Sequence, residues 1–160
     1  MKKVILLMTL AILGVATANA QFTKGTKRIA AQTSAFDLNF GSHVTNFNIG
    51  AKGSYFIINN LAVKAGIGFD YRKEKKSDTN TFNFEVGADY YFYKIFYGGF
   101  GFSFDKPKSI DLQSAIKLEA GASYYIAQNV YVNPAIYYKS GLGDNKVSRF
   151  GLEMGIGVNF

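Results

Sequence analysis

From Phe150 to Phe160 the chain reads F-G-L-E-M-G-I-G-V-N-F, with an apolar residue at every even position. Phe150, Leu152, Met154, Ile156, Val158 and Phe160 share one parity, and Gly151, Glu153, Gly155, Gly157 and Asn159 share the other. Successive side chains of an extended backbone point to opposite faces, so the stretch is a strand with one greasy face and one small or polar face. A single strand cannot satisfy its own backbone hydrogen bonds, and a greasy face needs either a core or lipid. What this strand becomes therefore depends on whether the rest of the chain supplies partners of the same kind.

It supplies seven. Phe36, Leu38 and Phe40 oppose Asp37 and Asn39 within a first strand over 28–40, where the alternation is least clean. Phe47, Ile49, Ala51, Tyr55 and Ile57 oppose Asn48, Gly50, Lys52 and Ser54, and Leu61 to Tyr71 repeats the pattern after a tight turn at Asn59-Asn60. A fourth strand sets Phe82, Phe84, Val86, Ala88, Tyr90 and Phe92 outward, and a fifth does so with Phe96, Phe100, Phe102 and Phe104. The sixth carries Ile116, Leu118, Ala120, Ala122, Tyr124 and Ile126, and the seventh Val130, Val132, Ile136 and Tyr138, with a bulge expected at Pro134. Tight turns fall near 58–60, 93–95 and 127–129, and polar loops near 41–46, 73–80, 105–111 and 140–146. The prediction is an all-β, eight-stranded antiparallel up-and-down transmembrane β-barrel, with short periplasmic turns and longer extracellular loops.

The leader fits that destination. Lys2 and Lys3 precede the apolar run Val4 to Val15, and Ala18-Asn19-Ala20 is a small-x-small cleavage site. Residues 1–20 thus read as a secretory signal peptide, and 21–160 as one barrel domain. The apolar run is shorter than the ~20 residues that a spanning helix needs. With 48% hydrophobic and 16% aromatic residues, and no second long apolar run, the greasy content has to be dispersed by alternation. There is no cysteine, which removes disulfides and thiolate metal sites.

A soluble ligand-binding barrel would share this period with its apolar parity turned inward. Three features decide for greasy side out. The apolar parity holds more Phe and Tyr bulk than an eight-stranded interior accommodates. The opposite parity carries ten glycines, at 50, 66, 68, 87, 99, 101, 121, 151, 155 and 157, which suit a crowded lumen better than a watery surface. The charges also segregate: Asp37, Asp70, Glu85, Asp89, Glu119 and Glu153 lie on the polar parity with Lys52, Lys64, Arg72, Lys117, Lys139 and Arg149. A lysine or arginine facing lipid at the midplane costs roughly 2–4 kcal/mol, so the greasy parity is kept free of charge.

Six acids and six bases inside one narrow lumen predict a network of ion pairs in place of an open pore. Lys64 and Asp89 come to similar heights on neighbouring strands and are the first direct pair expected. Phe56, Tyr91, Tyr93, Tyr97, Tyr125 and Tyr131 point inward by parity near the periplasmic turns, as a lower-lumen aromatic plug. Some of them fit an interfacial aromatic belt instead if a bulge reverses their facing.

The final octet, Glu153-Met154-Gly155-Ile156-Gly157-Val158-Asn159-Phe160, resembles the C-terminal assembly signal of bacterial outer-membrane barrels, with Glu153, Gly155, Val158 and Phe160 in its defining places. With the leader and the strand count, the mature chain resembles the small OmpA/OmpX-type barrel family over nearly its whole length. The resemblance implies insertion by the barrel-assembly machinery and residence in a Gram-negative outer membrane, in contact with its lipid and lipopolysaccharide. The short outside loops depart from the best-known members and weaken an adhesion role.

Enzymatic chemistry has one foothold. His43, the sole histidine, adjoins Ser42 in the first outside loop, and a lipid A deacylase of similar architecture uses such a pair. No acid is near to orient the base, so no catalytic residue is assigned. Gly66-Ile67-Gly68 lies within a strand and does not open a helix, which excludes a phosphate cradle. The basic run Lys73 to Lys76 lacks an aromatic platform for nucleic acid; it fits either plain solvation or contact with lipopolysaccharide phosphates. The reading is a monomeric, non-enzymatic barrel with a structural or interaction role and no cofactor. The alternatives are a barrel that binds a hydrophobic small ligand or a surface partner, and a lipid-modifying enzyme.

Overall fold

The computed structural model describes residues 22–37, 45–74, 77–93, 95–107, 112–142 and 148–160. The expected signal peptide, His43, Ser42 and most of the expected first outside loop fall outside that set. Eight strands follow in order: β1 (Lys27–Asp37), β2 (Thr45–Ile58), β3 (Leu61–Glu74), β4 (Ser77–Tyr93), β5 (Phe96–Pro107), β6 (Gln113–Ala122, resuming at Tyr124–Tyr125), β7 (Val130–Gly141) and β8 (Ser148–Asn159). Each pairs antiparallel with its sequence neighbour, and β1 pairs with β8, so the sheet closes on itself. Closure leaves no edge, which is what lets a sheet live in lipid. At the seam Arg28 lies opposite Asn159 and Ala31 opposite Ile156, and Lys27 and Phe160 exchange both backbone hydrogen bonds at 2.9 Å.

The greasy parity faces out on every strand. Ile49, Ile67, Phe82, Phe100, Leu118, Ile136 and Ile156 are exposed around the circumference, an apolar band far larger than a soluble surface tolerates. The inward glycines make room for tyrosines on the strand alongside. Tyr97 lies opposite Gly121 and Tyr131 opposite Gly157, and a Cβ at either glycine would stand 2.6 Å from the phenolic oxygen. Each ring thus lies flat across a bare backbone, filling a lumen too narrow for two side chains abreast.

Several local expectations are corrected. Pro134 is not bulged: β7 keeps one register against both neighbours, and the ladder breaks instead on β6, at Ser123. The Pro134 carbonyl faces β6, so the missing N–H is the one that would have met Ala122. One irregularity lies in β1, whose register against β8 shifts between Thr33 and Phe36. That shift exchanges parity mid-strand and explains why the alternation there is poor. Finally, 73–80 is mostly paired strand: β3 and β4 stay in register to Glu74 and Ser77, with Lys73 opposite Asp78. The backbone pairing continues where composition suggested a loop. Asp105, Lys106 and Pro107 likewise belong to β5, and Ser140 and Gly141 to β7.

Candidate functional site in the lumen

The lumen is stacked in layers. At the turn end, Phe56, Tyr91, Tyr97 and Tyr131 are buried, with Tyr125 packed against them. Tyr93 is the exception, 61% exposed on the outer face. The register between β4 and β5 shifts between Tyr91 and Tyr93, and that bulge turns the ring outward. Its place inside is taken by two residues outside the expected set. Ile95 tucks under the hairpin, and Phe22 stacks on Tyr91 at 4.0 Å between ring centroids. Phe22 is delivered by a short segment clipped to the β2–β3 turn, where Asn60 N–H donates to the Phe22 carbonyl at 2.8 Å and Lys24 N–H to Asn59 Oδ1 at 3.0 Å. Asn60 holds φ at +66°, a conformation asparagine tolerates.

Arg28 crowns this plug, 3% exposed. Its guanidinium donates to Asn159 Oδ1 at 3.1 Å, Ser123 Oγ at 3.1 Å and the Tyr91 hydroxyl, and lies 3.7 Å from the centre of the Tyr131 ring. A desolvated cation over an aromatic face gains about 2 kcal/mol. Ser123 and Asn133 carry the network on to the Tyr97 hydroxyl, to which Asn133 Nδ2 donates at 2.8 Å.

Above the plug lies a connected cluster of three lysines and four carboxylates. Lys64 Nζ is 2.6 Å from Glu119, 2.7 Å from Asp89 and 3.5 Å from Glu85. Lys117 Nζ is 2.7 Å from Glu153, 2.9 Å from Glu85 and 3.2 Å from Glu119. Lys52 reaches Glu153 at 3.2 Å and Glu119 at 3.4 Å. An ammonium has three protons to give, so Lys64 and Lys117 each meet as many carboxylates as they have donors. Glu85 Oε1, Asp89 Oδ1 and Glu119 Oε2 lie within ion-pair distance of these lysines but receive no aligned hydrogen bond. Gln32 adds a neutral donor to Glu153.

Toward the loop end, Lys139 Nζ grips both oxygens of Asp105 at 2.7 and 2.8 Å, and Ser103 donates to Asp105 at 3.1 Å. Asp70 accepts from the amides of Asn48 and Asn83. Arg149 lies across from Lys139 on β8. The side chains of Asp37 and Arg72 lie outside the described set; their backbones stand opposite Gly151 and opposite Asn46 and Thr79. Arg28 and Asp105 escaped the sequence reading, the first because the β1 bulge blurs its parity, the second because Pro107 suggested a loop. Yet Gly101, Ser103 and Asp105 continue one parity, and Arg28 alternates with Ile29. They add one base and one acid, so the balance of sign inside is unchanged.

Among solved structures, the chain is similar to the N-terminal β-barrel domain of Pseudomonas aeruginosa OprF, with a TM-score of 0.62 and 15% identity over 86% of this chain and 98% of that one. This is the fold of the small outer-membrane β-barrels. Neisserial surface protein A shares it at TM-score 0.59 and 21% identity, covering 84% of this chain and 96% of that one. So does Ail, the attachment invasion locus protein of Yersinia pestis, at TM-score 0.55 and 14% identity, covering 86% and 100%. A de novo designed transmembrane barrel matches at TM-score 0.56 and 14% identity, covering 88% and 99%. No family model and no curated protein matches the chain. A designed barrel shares the small outer-membrane barrel fold as closely as natural ones do, so the fold by itself assigns no task.

Proposed function

We propose that the protein is an integral, monomeric outer-membrane barrel with a structural or interaction role at the cell envelope, its lumen filled and not a pore. The observation that carries this reading is the unbroken stack of plug and charge cluster. Tyr97 is 1% exposed and Phe56 0%, and the side chains of Lys64 and Glu119 are each 1% exposed. The exposed apolar girdle supports residence in lipid, and the barrel neighbours support the outer membrane. Glu153, Gly155, Val158 and Phe160 would be read by the assembly machinery before Glu153 joins the cluster. The acids and bases of the central cluster are paired with one another and buried, which supports a non-enzymatic role. In planar bilayers the purified barrel is expected to give no stable large conductance; a steady ion current through single barrels would overturn the filled-lumen reading.

One feature favours the interaction branch. β4 runs for 17 residues and β3 for 14, whereas a spanning strand needs about 9–11. The excess in the shorter strand, β3, is about three residues, or roughly 10 Å of two-stranded ribbon beyond the girdle. It leads to Lys73, Lys75 and Lys76. We read this hairpin as a contact for lipopolysaccharide phosphates. Exchanging the three lysines for glutamine should reduce retention of the barrel by lipopolysaccharide-containing vesicles, and unchanged retention would reject that contact.

A further inference from the structure

The row of cations across β6, β7 and β8 holds one member that no ion pair among the described residues accounts for. Lys117, Lys139 and Arg149 stand opposite one another in register, on the inward face of three adjacent strands. Like charges placed directly opposite each other destabilise a sheet. Lys117 escapes by turning down to the four-carboxylate cluster, and Lys139 by gripping Asp105. Arg149 has no such outlet: among the described residues no acid lies within ion-pair distance of it, and Asp105, the carboxylate that shares its recess, is held by Lys139. Arg149 and Lys139 instead border a recess of about 20 Å³ together with Asp105, Gln113, Ser114, Ala115 and Gly141. Its rim is fixed where Leu142 N–H donates to the Ser114 carbonyl at 2.7 Å. Space of that size holds one water-sized group.

We propose that this recess is an anion subsite at the loop end of the lumen, taking a single oxyanion group of the phosphate or sulfate kind. The guanidinium of Arg149 supplies a planar fork matched to two oxygens of such a group, and Lys139, which cancels the charge of Asp105, leaves the recess with the net positive charge of Arg149. Gln113, on the inward parity of β6, offers an uncharged donor beside them. One oxygen enters the recess and the remainder of the group faces the mouth. The charge cluster beneath closes the floor, so the anion rests on the barrel and does not pass through it. Phosphate chemistry reaches this position either free in solution or as a substituent on a lipopolysaccharide sugar.

The test uses the full barrel refolded in zwitterionic micelles free of lipopolysaccharide, with the backbone amide signal of Gly141, which lines the recess in every variant, followed by nuclear magnetic resonance. Inorganic phosphate at constant ionic strength should move that signal saturably. Arg149→Gln should abolish saturable binding, Arg149→Lys should weaken it at least about tenfold, and Asp105→Asn, which removes the local negative charge, should tighten it. Each variant is first checked for native heat-modifiable migration, and Arg149→Lys keeps the test open should Arg149→Gln fail to fold. A response to lipopolysaccharide at far lower concentration than to phosphate would support the subsite and assign its ligand to the lipid. A linear, unsaturable shift, equal responses in Arg149→Lys and the parent, or no response to either ligand would overturn it.

Discussion

Lys64 shows what one side chain does here. It is 4% exposed and lies among three carboxylates, so its removal strands Asp89 and Glu119 without their nearest cation. Breaking a buried ion pair from one side costs about 3–5 kcal/mol, because the orphaned charge stays buried. Lys64→Met should therefore lower the unfolding free energy in urea by that amount, while Lys106→Met, at an exposed position, should stay within about 0.5 kcal/mol. A Lys64 variant as stable as the parent would show that the cluster is idle. That Lys64 and Asp89 would meet was legible from strand height, since both sit a few residues above adjacent turns. Their joint dependence on Glu119 was not, because β6 is three strands from β3 in the sheet and meets Lys64 only across the lumen. Parity places a residue inside a barrel but gives no angle around its axis.

At the scale of the element, alternation identified every strand, and the errors gather where a strand departs from it. The bulges near Thr33 and Tyr91 each insert a residue and exchange the two faces, which a period of two cannot register. Pro134 was the visible irregularity and proved to be a regular strand residue; its effect falls on the neighbour that lacks a donor. Pro134→Ala restores that N–H opposite Ala122 and should join the two pieces of β6 into one strand. Hydrogen exchange at the β6–β7 junction is expected to slow, with a gain of up to about 1 kcal/mol. Exchange that stays as fast as in the parent would place the break in Ser123, whose own N–H goes to the Ile95 carbonyl at 2.9 Å. Phe22 was missed for a different reason: a lone aromatic outside any alternating stretch has no period to betray it.

For the whole molecule, everything depends on the seam. β1 and β8 are joined by backbone bonds between positions such as Ala31 and Ile156, 125 residues apart by subtraction. The native chain has no cysteine, so a pair introduced at those outward positions has a single possible partner. Oxidised Ala31→Cys/Ile156→Cys barrel should lose its heat-modifiable gel shift only at a higher temperature than the reduced form, since closing a loop of that length is worth about 4–5 kcal/mol. Equal transition temperatures would mean that the seam opens late, if at all, in unfolding. The seam also sets an order in time. Every other pairing joins strands adjacent in the chain and can form as soon as both have been delivered, whereas β1 has to wait for β8 with one flank bare. For that interval it is an unpaired, greasy-faced strand, the form most prone to aggregate. A helper that occupies the open flank of β1 until β8 arrives would suppress that hazard, and the point of release would be the moment Phe160 reaches Lys27.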